Sequence, residues 1–382
     1  MQARFSVHST SVPANGQLHP PQRILVRGVN WLGDAVMTTP ALARLRERFP
    51  DARITLLTAA KLAPLWSPHP AVDDVVSFAA DEGLLSVARR LRAGRFDLAL
   101  LLPNAPRAGL EARLAGIPRR VGIHWPWRDW LLTDVVPTDP RAVGMRRRKP
   151  AEILARLREP APPPNWGLPA PGPESHQLFH YLRLVAALGA DPTPLPPRLG
   201  ITPAEIADAR ERFELAPGIR WIGFNVGAEY GPAKRWPVES FAAVARAVAT
   251  HPGHGLVFFG GNSDTQTVAR ILAALGRSPA PVRNLAGRTS LRDLAASLAA
   301  CEAVITNDTG PMHVAAAVGT RVIVPFGSTS PELTGPGLPG EGRHALLKSD
   351  APCAPCFLRE CPADLRCLRR LEPDAILAAL GS

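Results

Sequence analysis

The sequence predicts an α/β protein made of two doubly wound, parallel-sheet domains that face each other across a cleft. Three observations carry this reading. Short apolar strands alternate with helical stretches over residues 23–102 and again over residues 221–324, the rhythm of a parallel sheet covered on both faces. The alternation fails in between, where residues 141–149 are basic and residues 160–173 and 192–197 are rich in proline. And 382 residues exceed what a single core ordinarily supports.

Taken in order, residues 1–22 are polar, contain proline and lack the apolar core of a signal peptide, so they read as a disordered extension. The apolar run Arg23-Ile24-Leu25-Val26-Arg27-Gly28 is a strand, and residues 29–34 are the loop after it. A helix is expected over residues 35–49, with Pro40 kinking it or marking a restart after Thr39. Strands follow at residues 53–58, 74–78 and 97–102, with helices near 61–66 and 83–93. The loop Pro103-Asn104-Ala105-Pro106-Arg107 closes this first run. Binding loops of such sheets sit at the carboxyl ends of strands, where Gly33, Asp34 and Asn104 fall. Residues 141–175 form an insert to which no regular structure is assigned. Its basic run reads either as a solvated loop or as a contact for an anionic acceptor or membrane. A helix over residues 176–188 and a second proline cluster then lead out of the domain.

In the second run, strands are expected at residues 221–225, 256–259, 282–284, 303–306 and 321–324. Helices near 238–249, 265–275, 291–300 and 311–318 lie between them. Three loops converge on the strand ends. The decisive one is Thr306-Asn307-Asp308-Thr309-Gly310-Pro311-Met312-His313, a strand running through carboxylate and hydroxyl groups into a small-residue helix. Free N–H groups at that helix start suit a phosphate. Asp308 or Thr309 could serve simply as a cap, but a cap leaves Gly310 and His313 unexplained; His313 itself reads as a ligand contact or as a satisfied helical histidine. The loop from Gly227 through Glu229 to Pro237 offers Lys234 as a point charge for a phosphate, beside Arg235, or the two are an ordinary surface pair. Gly260 and Gly261 allow close backbone approach to a ligand or make a tight turn. Asp264 could bond ribose hydroxyls or cap its helix.

Composition narrows the class. Forty-four Lys plus Arg against 33 Asp plus Glu give a net charge of +11, which favours an anionic partner: nucleic acid, a phosphorylated glycolipid or an anionic membrane face. The basic residues are spread out and match no nucleic-acid motif. No apolar run reaches the roughly 18–20 residues of a membrane span, so a cytoplasmic protein is expected. Neither G-x-G-x-x-G nor G-x-x-x-x-G-K-[ST] follows a first strand, which argues against a dinucleotide fold of the usual kind and against a P-loop ATPase.

Four motifs stand in order: Asn30-Trp31-Leu32-Gly33-Asp34, Leu102-Pro103-Asn104, the loop from Gly227 to Pro237, and Asp308-Thr309-Gly310-x-x-His313. Together they resemble glycosyltransferase family 9, the ADP-heptose:lipopolysaccharide heptosyltransferases, over roughly residue 23 to the C-terminus. Within the family the pattern is most similar to the type II enzymes, which add the second inner-core heptose; type I and III acceptors, or another nucleotide-sugar, stay open. The resemblance implies a GT-B fold of two Rossmann-like domains with a central cleft. It places acceptor binding on residues 23–198 and nucleotide-sugar binding on residues 199–348. It also implies that the last helix, within residues 349–382, crosses back to the first domain. Implied donor contacts are Gly227, Glu229, Gly261, Asp264, Asp308, Thr309, Gly310 and His313; implied acceptor contacts are Asn30, Trp31, Gly33, Asn104 and Arg107. The partners implied are ADP-heptose, the phosphorylated lipopolysaccharide inner core and, peripherally, the cytoplasmic face of the inner membrane, with no nucleic acid.

The chemistry can be argued from the residues. Transfer with inversion needs a base for the acceptor hydroxyl and a clamp on departing ADP. Asp34 is the candidate base, matching the Asp the family is thought to use, with a helix cap as the bland alternative. Lys234 and the N–H groups near Thr309 and Gly310 form the clamp, so no catalytic metal is required. Cys353, Cys356, Cys361 and Cys367 lie within a short proline-punctuated segment. They suit a structural zinc, reduced thiols or disulfides. Cys301 precedes a strand and reads as core.

Overall fold

The computed structural model describes residues 20–140, 143–159, 163–168 and 170–381. The extension expected over residues 1–22 therefore lies almost wholly outside the described residues.

Strands β1 (Arg23–Arg27), β2 (Arg53–Ala59), β3 (Asp74–Phe78), β4 (Leu98–Leu101), β5 (Arg119–Ile123) and β6 (Asp134–Val136) form one parallel sheet in the order β3-β2-β1-β4-β5-β6. Strands β7 (Arg220–Asn225), β8 (His254–Phe259), β9 (Val282–Asn284), β10 (Ala303–Thr306), β11 (Arg321–Phe326) and β12 (Ala345–Lys348) form a second, in the order β12-β11-β10-β7-β8-β9. The two share one topology: each starts at a central strand, winds outward, returns beside it and winds the other way. Central strands such as β1, β4 and β10 are buried nearly throughout, as strands covered on both faces must be. The order reverses between β1 and β4 and between β7 and β10. At such switch points the flanking loops part and leave a crevice at the strands' carboxyl ends.

The helices are α1 (Leu32–Met37), α2 (Thr39–Arg48), α3 (Leu84–Ala93), α4 (Pro106–Leu114), α5 (Pro150–Arg156), α6 (Gln177–Ala186) and α7 (Pro203–Arg212), then α8 (Val238–Ala249), α9 (Thr265–Leu275), α10 (Leu291–Ala299) and α11 (Gly310–Ala317), and finally α12 (Pro331–Thr334), α13 (Arg366–Arg369) and α14 (Pro373–Gly381). The helix expected over residues 35–49 starts earlier and breaks at Thr38. Pro40 sits in the first turn of α2, where its missing N–H costs no hydrogen bond.

Three strands, β5, β6 and β12, were not expected. Arg-Arg-Val-Gly-Ile in β5 interrupts the apolar run with paired polar groups: Arg119 bonds Asp134 of β6 at 2.9 Å, and Thr133 holds the Arg120 N–H. Helix α4 occupies what reads as a loop, since Pro106 opens it. Helix α7 carries the capping box Thr202–Glu205.

The crossing between domains also differs from expectation. Helix α14 does not return to the first sheet; it packs on α8 and β11, buries Ile376 in the second domain's core and accepts a 2.7 Å bond from Arg321 to the Ala379 carbonyl. Its partly buried Leu377, Ala379 and Leu380 pack against the same core. The insert crosses instead. Arg148 N donates to the Cys356 carbonyl, and Ile153 of α5 joins the core cluster that holds Cys353 and Cys356. The chain then returns to the first sheet through α6, which packs on α1 and α2. The basic run is thus partly built in: Arg148 is buried, with its guanidinium over the Trp166 ring.

Candidate functional site

A cleft of about 830 Å³ lies between the two sheets' carboxyl ends. Its floor is a contact between α1 and α11, the helices that follow the two switch-point strands β1 and β10. Two glycines permit it. A Cβ on Gly33 would stand 2.7 Å from His313 Cδ2, and one on Gly310 would stand 2.8 Å from Leu32 Cβ. Each helix start thus presents bare backbone where the other presents a side chain, and Asp34 is brought to face the Asp308-Thr309-Gly310 loop.

Asp34 is the third residue of α1 and does not cap it; the cap position is Trp31. Burial raises its carboxyl from 3.8 to about 6, against the pull of the Lys234 charge from the other domain. Tyr181 of α6 is buried close enough to feel the Asp34 charge in turn. A carboxyl poised there takes a proton readily at neutral pH.

Lys234 ends a short turn after β7. Its Nζ lies 2.6 Å from Asp308 Oδ2 and 5.0 Å from the Tyr230 ring centroid. Asp308 Oδ2 also accepts from Thr329 Oγ1 at 2.5 Å. The loop under this pair is pinned by fully buried Asn307. Its Nδ2 donates to the Val226 carbonyl, and its Oδ1 accepts from Trp236 N. His313 is buried; burial lowers it to about 3 even though Asp308 opposes the shift. It is therefore a neutral imidazole against Gly33, and no cation.

Several expected contacts are placed otherwise. Asp264 lines the cleft, yet its Oδ2 accepts from Gly261 N at 3.0 Å and lies where a Cβ on Gly227 would come within 2.2 Å. It shapes the two glycine turns. Glu229 pairs with Lys61 of the first domain at 3.1 Å. Trp31 and Gly33 line the cleft, whereas Asn30, Asn104 and Arg107 stay outside its lining. Arg107 is held by Glu111 at 2.7 Å and by the Glu82 carbonyl, and Asn30 receives a 3.4 Å bond from Arg27.

The sequence reading missed a cationic cluster around Tyr230. Arg147, from the insert, donates to its hydroxyl at 3.2 Å. Tyr230 in turn donates to the Phe357 carbonyl at 2.9 Å, and the Arg359 guanidinium stands 5.2 Å from its ring. Arg147, Tyr230, Lys234, Phe357 and Arg359 all line the cleft. Arg147 lay inside a run that reads either as a solvated loop or as a contact for an anionic acceptor or membrane, with no partner in the second domain expected for it. Phe357 and Arg359 lay among the cysteines, where the spacing drew attention away from them.

Of the three alternatives for the cysteines, the structure has the reduced thiols and not the zinc site or the disulfides. Among the described residues no group of three or more His, Cys, Asp or Glu could hold a metal ion, and Cys353, Cys356, Cys361 and Cys367 are free. Burial, aided by the neighbouring sulfurs, pushes Cys353 up to about 11 and Cys367 up to about 12, so both are protonated thiols at neutral pH. The segment frames the loop from Gly227 to Pro237: Ala233 N donates to the Arg359 carbonyl, and a Cβ on Gly231 would come within 2.5 Å of that oxygen. Cys301 is buried core, as expected.

Residues 162–366 match the family model described as glycosyltransferase family 9 (heptosyltransferase). The chain belongs to that family. It is accordingly a glycosyltransferase with the GT-B arrangement of two Rossmann-like domains. It is 34% identical over 323 residues to lipopolysaccharide heptosyltransferase 2 of Escherichia coli K12, covering 82% of this chain and 85% of that one. It is 31% identical to lipooligosaccharide heptosyltransferase 2 of Haemophilus influenzae, covering 82% and 85%. The solved structure of E. coli ADP-heptose lipopolysaccharide heptosyltransferase II superposes with a TM-score of 0.75 at 29% identity, covering 94% of this family 9 chain and 97% of that structure. No helix among the described residues is long and apolar enough to cross a membrane.

Proposed function

We propose that this glycosyltransferase moves L-glycero-D-manno-heptose from ADP-heptose to the heptosylated inner core of lipopolysaccharide, with inversion at the anomeric carbon. The observation that carries the reading is Asp34 on one domain facing the Lys234–Asp308 pair on the other, beside Thr309 and Gly310 at the start of α11. The acceptor hydroxyl attacks the anomeric carbon. Asp34 takes its proton, the new C–O bond forms, and the bond from the sugar to the diphosphate breaks. Lys234 and the α11 N–H groups neutralise the departing ADP. Neutral His313 orients the sugar or diphosphate by hydrogen bonding. We assign the donor to residues 199–348 and the acceptor to residues 23–198, with Arg147 and Arg359 attracting the phosphates of a glycolipid. The clamp is made of protein groups alone, and the enzyme works peripherally at the cytoplasmic face of the inner membrane.

A transfer assay read by mass spectrometry tests this, with acceptors carrying zero, one or two heptoses and Asp34→Asn as control. The expected result is a single heptose gained on the mono-heptosylated acceptor and lost in the variant. Gain on another acceptor keeps heptosyl transfer and moves the step. Failure to bind ADP overturns the reading.

A further inference from the structure

The loop after β5 carries Trp125, Trp127 and Trp130, which are 49%, 90% and 62% exposed. The chain has eight tryptophans, and Trp66, Trp221 and Trp236 show the ordinary fate, being almost fully buried. Three indoles in six positions facing water do nothing for the core, so their outward placement asks for a partner.

The loop is built from within to hold them out. Arg128, between two of them, is fully buried. Its guanidinium donates to the Pro103 carbonyl at 2.5 Å and to the Ile123 carbonyl at 3.2 Å. Gly122 clears its path, since a Cβ there would stand 2.2 Å from Arg128 Nη2. Asp129 accepts from Trp125 N at 3.0 Å, and Trp130 Nε1 donates to the Trp127 carbonyl at 3.1 Å. Trp127 itself sits at φ +67°, a left-handed conformation that a bulky residue adopts only when its surroundings impose it. The result is a fixed turn with its indoles outward.

The charge beside it is positive. Arg113 stands 5.4 Å from the Trp130 ring and makes no ion pair among the described residues, with half-exposed Leu114 next to it. Of the four arginines in residues 113–134, Arg128 is buried and Arg119 pairs with Asp134, so Arg113 is the cation set beside the indoles. Indoles that are apolar in body and polar at the edge, with arginine beside them, match the headgroup layer of an anionic bilayer. The loop leaves the carboxyl end of β5 and is tied to the loop after β4. It therefore shares the edge of the first sheet that carries Asp34.

We propose that Trp125, Trp127 and Trp130, with Arg113, dock this domain on an anionic lipid surface, setting the acceptor side of the cleft against the bilayer. The choice of partner rests on the reading of a lipid-linked acceptor.

The test is flotation of the full chain with vesicles of phosphatidylcholine and phosphatidylglycerol at three to one, and with pure phosphatidylcholine. Transfer to a detergent-dispersed acceptor is measured alongside. The wild type should float with the anionic vesicles and weaken as salt rises. Combined Trp125→Ser, Trp127→Ser and Trp130→Ser should cut binding by about tenfold or more, and Trp127→Ser or Arg113→Glu by less. Transfer to the dispersed acceptor should hold in every variant, which also reports folding. A wild type that floats with neither vesicle, or a triple variant that floats like it, overturns the proposal. If docking behaves as expected but no acceptor gains heptose, docking stands and the proposed function falls.

Discussion

Replacing Asp34 with Asn should make the enzyme inactive and more stable at once. The carboxyl is raised from 3.8 to about 6 by burial, so the folded state binds its proton more tightly than the unfolded chain does. The stabilisation that goes with that proton is fully present below 3.8 and is lost as the pH rises through about 6. At higher pH the ionised group is held in the folded state at a cost of about 3 kcal/mol, or about 2 after allowing for water at the cleft mouth. Asn keeps the volume and carries no charge. Asp34→Asn should therefore raise Tm by a few degrees at alkaline pH and leave it unchanged below 3.8. Transfer should fall by about 10²–10⁴, the usual contribution of a positioned base, with ADP affinity unchanged. In the wild type, kcat/KM should rise with pH through a single acid limb near 6. Scanning calorimetry at two pH values, titration with ADP and the transfer assay read all of this. An Asn variant no more stable than wild type at alkaline pH would refute the burial argument, and one transferring within tenfold of wild type would refute the base.

Lys234→Met should lower transfer by about 10²–10³ and move the acid limb above 6, because Lys234 is the charge that holds Asp34 down; an unmoved limb in the pH profile contradicts the coupling. It also leaves Asp308 buried beside Thr329 without its cation, so Lys234→Met with Asp308→Asn should be more stable than Lys234→Met alone in chemical denaturation. Gly33→Ala places a methyl 2.7 Å from His313 and should cost about 1–3 kcal/mol together with activity; adding His313→Ala should restore the stability and not the transfer. Thiol titration should find buried Cys301, Cys353, Cys356 and Cys367 slow in the native protein and all five cysteines fast after unfolding. A metal chelator should leave both Tm and transfer unchanged.

Much of this architecture is legible because buried parallel strands announce themselves. Ile24 to Val26, Leu98 to Leu101 and Ala303 to Ile305 are apolar without interruption, being covered on both faces. The Asp308-to-His313 motif is legible because a helix start bearing a carboxylate, a glycine and a histidine exceeds what capping requires. β5 stayed hidden for a reason the structure supplies. Gly122 breaks its apolar pattern because Arg128 needs the space, and its arginines find partners that no strand pattern shows: Asp134 for Arg119 and the Leu131 and Ile117 carbonyls for Arg120. The cationic cluster was hidden for a related reason. Arg147, Tyr230 and Arg359 come from three segments whose meeting depends on the insert crossing to the second domain. Local sequence carries no trace of that crossing.

Asp34 shows why the site has to be read across both domains. Its own domain supplies α1, while the buried contacts at the cleft floor come from Gly33 against His313 and Leu32 against Gly310. The charge that opposes its desolvation comes from Lys234. The proton affinity of the base is thus a property of the closed interface rather than of either half. Moving the domains apart would wet the carboxyl, returning it toward 3.8, and remove the ammonium that faces it. Asp34 has its poised value only when α1 and the Lys234 loop are together, so on the proposed reading proton abstraction is favoured in the same arrangement that brings the two substrates into contact.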